Sequence, residues 1–97
     1  MPELPVILVV ADNGPLVDAL AADLGRRFGG DYRVLAERSP DGALAALERL
    51  AGTEEPVALV IAARRMEGQD GLALLLRARE LHPSAKRVLL EHRGEWT

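Results

Sequence analysis

Cysteine is absent from the 97 residues. Its absence excludes disulfide stapling, thiolate zinc sites and cysteine nucleophiles. Aromatic residues are nearly absent: Phe28, Tyr32 and Trp96 are the only three. The core must therefore be built from Leu, Val and Ala. A basic excess is lacking too, since 12 Lys and Arg stand against 15 Asp and Glu, for a net charge of −3. Without a basic stripe or aromatic platforms, nucleic acid is not an expected partner. No apolar run approaches the ~18–20 residues of a membrane span. Met1-Pro2-Glu3 lacks the basic start of a signal peptide. The expectation is a soluble, cytoplasmic protein with no membrane partner. No Gly-x-x-x-x-Gly-Lys-Ser/Thr run and no Gly-x-Gly-x-x-Gly pattern occurs, so neither a phosphate loop nor a dinucleotide fingerprint is present. The two histidines, His82 and His92, have no carboxylate spacing that makes a metal site or a triad. Both are expected at the surface. No nucleophile–base pair is visible, and the chain is read as non-enzymatic, with no metal and no cofactor.

What is present is an alternation. Residues 57–68 begin as a continuous apolar run and end abruptly in Arg64, Arg65, Met66, Glu67 and Gly68. A short apolar run bounded by turn signals reads as a strand buried on both faces, which implies a parallel sheet covered by helices. Residues 5–10 are another such strand, and 32–36 and 87–90 are two more. Asp12-Asn13-Gly14-Pro15 and Ser39-Pro40-Asp41 are helix starts: Asp12 or Asn13 can cap the first and Ser39 the second, and Pro suits the first turn. Leu16, Val17, Leu20 and Leu24 form one apolar stripe, and Leu44, Leu47 and Leu50 another. Gly29-Gly30 and Gly52 end these helices. Residues 64–71 read as a loop with Asp70 as a cap. A third helix spans 72–81, with Leu72, Leu75 and Leu76 expected inward. The order is β-α-β-α-β-α-β in a single domain over 1–97, with a folded core at 5–90 and a tail at 91–97. Such alternation gives a doubly wound parallel α/β sheet with right-handed crossovers. A chain of this length buries only about 60–65% of its unfolded surface, so its stability is marginal unless something covers the core.

These residues resemble a response-regulator receiver domain, with its CheY-like, flavodoxin-like fold. Ser39-Pro40-Asp41-Gly42-Ala43-Leu44 resembles the start of that family's second helix. Residues 59–68 resemble its third strand and Met-Pro-Gly loop, Gly71-Leu72 the Asp-Gly that opens helix three, and Val88-Leu89-Leu90 its fourth strand. The wording of 30–35 and 55–66 is also similar to receiver modules fused ahead of FAD-dependent thioredoxin-reductase-like enzymes. The resemblance implies a strand order of 2-1-3-4. It also implies a site at the carboxyl ends of the strands, where an aspartate accepts phosphate beside Mg²⁺.

The departures fall on that site. The phosphoacceptor position is Ala63, whose methyl cannot form an acyl phosphate. The family's paired acids that hold Mg²⁺ become Ala11-Asp12, or Asp12-Asn13 if shifted by one. Either way a charge is missing, and Asp12 is at most a vestigial acid. Glu91 stands where the family places Thr or Ser. The lysine-bearing fifth strand has no counterpart. The expectation is a pseudo-receiver: a non-phosphorylatable regulatory module acting through protein–protein contact. Its surface would be the strand-four edge, Val88, Leu89 and Leu90, together with Trp96, which either packs back on its own domain or docks on a second chain. The partner is another protein or a second copy. One alternative is an anion or small-molecule sensor, with Arg64 or Arg65 gripping the ligand. Those arginines otherwise pair internally with Asp12 or Glu91, or lie exposed in the loop. The other alternative is the front segment of a larger flavin-dependent oxidoreductase.

Overall fold

The computed structural model describes residues 4–66 and 69–91. His92 and Trp96 lie outside the described residues, as do Glu67 and Gly68. Strand β1 (Val6–Val10) is followed by helix α1 (Gly14–Phe28), β2 (Arg33–Glu37) and α2 (Pro40–Gly52). Then come β3 (Val57–Ala63), two-residue strands β4 (Arg65–Met66) and β5 (Gln69–Asp70), α3 (Gly71–Leu81) and β6 (Lys86–Leu90). The main sheet is parallel, in the order β2-β1-β3-β6. This is the expected 2-1-3-4 order of a doubly wound, flavodoxin-like sheet.

Each helix begins where a short polar side chain caps it. The Asn13 side chain accepts from Leu16 N–H at 3.0 Å, Ser39 Oγ from Gly42 N–H at 3.0 Å, and Asp70 Oδ1 from Leu72 N–H at 2.9 Å. Each satisfies an orphan donor of the first turn. Proline follows the cap in α1 and α2. The chain runs from β1 outward to β2, then returns past β1 to β3. Right-handed crossovers therefore place α1 on one face and α2 with α3 on the other. The alternation within β1 shows both layers: Val6, Leu8 and Val10 join the α2/α3 core, and Ile7 and Val9 join the α1 core. All five are buried, as a central parallel strand requires.

Three expectations are corrected. The loop at 64–71 contains a small antiparallel hairpin, Arg65 pairing with Asp70 and Met66 with Gln69. Met66 is only 6% exposed and belongs to the α2/α3 core. The inward stripe of α3 is Leu74, Leu75 and Ala78, while Leu72 and Leu76 are exposed. A leucine-rich run offers two stripes, and the close seating of Gly71 on β3 selects one of them. A Cβ at Gly71 would meet the Ala63 carbonyl oxygen at 1.9 Å. His82, expected at the surface, is buried, and its Nε2 lies 2.8 Å from the Leu47 carbonyl oxygen. With its Nε2 proton in place the ring donates to that carbonyl, fastening the end of α3 to α2. No helix among the described residues is long and apolar enough to cross a membrane.

Candidate functional site

The carboxyl ends of parallel strands all lie at one edge of the sheet. The winding reverses between β1 and β3, and such a switch point opens a crevice at that edge. The residues after β1 are Ala11, Asp12 and Asn13. Ala11 is buried, and its N–H donates to the Glu37 carbonyl at 3.2 Å. Asp12 is exposed. Asn13 is taken up as the α1 cap, so in the shifted register its oxygen already has a donor.

Ala63 ends β3, half-buried, and lies opposite Leu90 in the β3–β6 register. It presents a methyl group where the resemblance places a carboxylate. Arg64 follows. Its backbone N–H donates to the Leu90 carbonyl at 2.7 Å, and its own carbonyl accepts from Gly71 N–H at 2.7 Å. These two bonds fix the start of the loop against both β6 and α3. The Arg64 guanidinium lies 3.5 Å from Asp70 and 3.7 Å from Glu91. Of the pairings foreseen for Arg64, the one with Glu91 is present. The one with Asp70 was not foreseen, because that acid reads as a cap and only the β4–β5 hairpin brings it back to position 64. All three side chains are about half exposed, so each pair contributes roughly 0–1 kcal/mol.

Arg64, Arg65, Met66, Gln69, Asp70 and Glu91 line an open cleft of about 490 Å³. Two guanidinium groups face two carboxylates there, which leaves little net field to hold an anion. Arg65 is exposed at the rim. Among the described residues, no group of three His, Asp or Glu side chains is placed to hold a metal ion.

The expected contact residues lie on β6, directly beside β3. β6 has β3 on one side and no strand on the other among the described residues. Val88 is 40% exposed, and Leu89 and Leu90 are half-buried. Leu89 packs on the α2/α3 layer and Leu90 on the α1 layer.

No protein-family model and no curated protein matches the sequence. Solved structures do. The chain is 31% identical to the receiver domain of the hybrid histidine kinase CckA, covering 93% of this chain and 87% of that one, with a TM-score of 0.68. A response regulator from Burkholderia pseudomallei, solved with a phosphorylated aspartic acid, a calcium ion and citrate, matches at TM-score 0.76 and 24% identity. That match covers 95% of this chain. A CheY-like receiver domain protein from Methanospirillum hungatei matches at 0.75 and 22%, over 97% of this chain. At those identities the last two share the fold. The chain spans 49% of the Burkholderia protein and 69% of the Methanospirillum one. By its sheet order, its helix-opening motifs and its likeness to the CckA receiver, the chain belongs to the response-regulator receiver family.

Proposed function

We propose that this chain is a cytoplasmic, non-enzymatic pseudo-receiver: a regulatory module that keeps the receiver fold, takes no phosphoryl group and works through protein contact. The observation that carries the reading is Ala63. An acyl phosphate needs a carboxylate nucleophile, and the strand end that would supply one supplies a methyl. The neighbours support the same reading. Ala11 brings no carboxylate to a cation. Glu91 puts a negative charge where an incoming phosphoryl group would sit, and Arg64 is engaged with Asp70 and Glu91. Contact falls to the side of β6 that carries no strand among the described residues, where Val88 is exposed and Leu89 and Leu90 are half-buried.

Incubation with acetyl phosphate and Mg²⁺, followed by intact-mass measurement, tests this. No phosphoryl increment is expected. A hydroxylamine-labile increment on the wild-type chain overturns the reading. The anion-sensor alternative rests on the two arginines of the 490 Å³ cleft. The facing carboxylates weigh against it, and a rise in Tm with inorganic phosphate would restore it. A place at the front of a flavin-dependent oxidoreductase rests on sequence wording alone; reading the gene beyond Thr97 tests it.

A further inference from the structure

The opposite edge of the sheet, where the strands begin, carries a second cleft. It measures about 330 Å³ and lies between the last turns of α2 and α3. Its walls come from 50–57 and 81–85, the internal stretches that join α2 to β3 and α3 to β6.

His82, only 9% exposed, is part of the wall. Its Nε2 lies 2.8 Å from the Leu47 carbonyl oxygen, which has no proton to give. The proton is therefore on Nε2, and in the neutral ring Nδ1 keeps its lone pair. Among the described residues nothing donates to Nδ1, and that nitrogen is not sealed from water. A hydrogen-bond acceptor thus opens on the cleft. Glu54, also in the wall, has a φ of 57°, in the left-handed region that favours glycine. The turn itself is closed by backbone bonds, Glu54 N–H to the Ala51 carbonyl at 3.2 Å and Glu55 N–H to that of Leu50 at 2.9 Å. Glycine would make this turn with less strain, yet the chain sets a carboxylate there. Glu55 is held by Arg33 at 2.9 Å and by Thr53 Oγ1 at 2.5 Å. The Glu54 side chain has no hydrogen bond or ion pair among the described residues. No lysine or arginine is among the described residues that line the cleft.

We infer that this cleft binds a small organic ammonium. Its apolar body rests on Leu50, Val57, Leu81 and Ala85, and its protonated amine donates to His82 Nδ1 in the field of Glu54. Other ligand classes fit less well. An anion would meet two carboxylates with no cation in the wall. A metal ion would need three gathered ligands, and no such group occurs among the described residues. Pure hydrocarbon would cover the Nδ1 lone pair without answering it. Small-molecule sites begin at about 300 Å³, so the ligand is no larger than a ring with a short chain. The site lies away from the 490 Å³ cleft and stands whether or not the chain takes a phosphoryl group.

Phenethylamine is the probe, titrated by NMR into the wild-type chain at about pH 8, where a free imidazole is neutral and an aliphatic amine charged. Phenylethanol and hydrocinnamate are the matched neutral and anionic probes. Backbone amide shifts locate binding, and ring-nitrogen shifts report Nδ1, with His92→Gln separating the two histidines. Phenethylamine is expected to move the amides of Leu50, Val57 and Ala85 and to shift His82 Nδ1 upfield, saturating below about 10 mM. Phenylethanol keeps the donor but loses the charge, and should bind roughly three- to fivefold more weakly. Hydrocinnamate should not bind. Glu54→Gln should cost the amine the same factor and abolish its advantage over the alcohol. Glu54→Gly relieves the left-handed backbone, so it should raise Tm while weakening the amine, which separates binding from folding. The inference is overturned by any of four results: no saturable shift at these amides up to about 10 mM, an Nδ1 that does not move, phenylethanol or hydrocinnamate binding as well as the amine, or a Glu54→Gln chain that still prefers the amine.

Discussion

At Gly71 the absence of a side chain lets α3 start directly against the end of β3, beneath the Ala63 carbonyl. The clash that a methyl would create there is with backbone, which cannot rotate away. Gly71→Ala is expected to destabilise the fold by about 2–3 kcal/mol, as overpacking does. That corresponds to a fall in Tm of roughly 8–24 °C for a domain of this size, read by circular dichroism. The sequence shows an Asp-Gly helix start at this point but not the close approach, which depends on where β3 ends. Ala63 is the opposite case: its lack of a reacting group is plain from residue type alone. His82 was not legible, because its acceptor is Leu47, 35 residues earlier and on another helix.

The elements were legible where local chemistry and periodicity agree. Ser39 and Asp70 cap the helices they were expected to cap, and of the two candidates before the first helix, Asp12 and Asn13, it is Asn13 that does so. The four strands of the sheet lie where short apolar runs placed them. Two features escaped. The β4–β5 hairpin has no alternating pattern, since its residues are Arg65, Met66, Gln69 and Asp70. Helix α3 carries Leu72, Leu74, Leu75 and Leu76 in one turn and a half, so periodicity alone selects no face. The observed face predicts a sharp contrast. Leu75→Ala should cost about 2–5 kcal/mol, because that side chain is 5% exposed in the core. Leu76→Lys should leave the stability of the folded monomer within about 0.5 kcal/mol. Urea denaturation at low protein concentration measures both. Equal costs would place the helix in the other rotation.

Across the whole molecule, protection is graded from the centre of the sheet to its edges. β1 is buried at every residue and bonded on both sides, and β3 lies beside it. Native-state hydrogen exchange should be slowest in these two strands. In β6 the amides of Val88 and Leu90 face β3 and should be protected. Those of Leu89 and Glu91 face outward. They should exchange faster than the amides that face β3. Equal protection of the two sets would count against this register of β6 on β3.

The central place of β1 also bears on how the chain assembles. Both of its neighbours come later in the sequence. Val10 lies opposite Glu37 on one side and Ala62 on the other, so the middle of the sheet is closed only by joining residues more than half the chain apart. Loop-closure entropy must be met before those long-range contacts return any energy, which makes parallel sheets slow to form. Until β3 docks, the apolar face of β1 stays open to water. During synthesis, β1 leaves the ribosome well before β3 and must wait for it before its core is sealed.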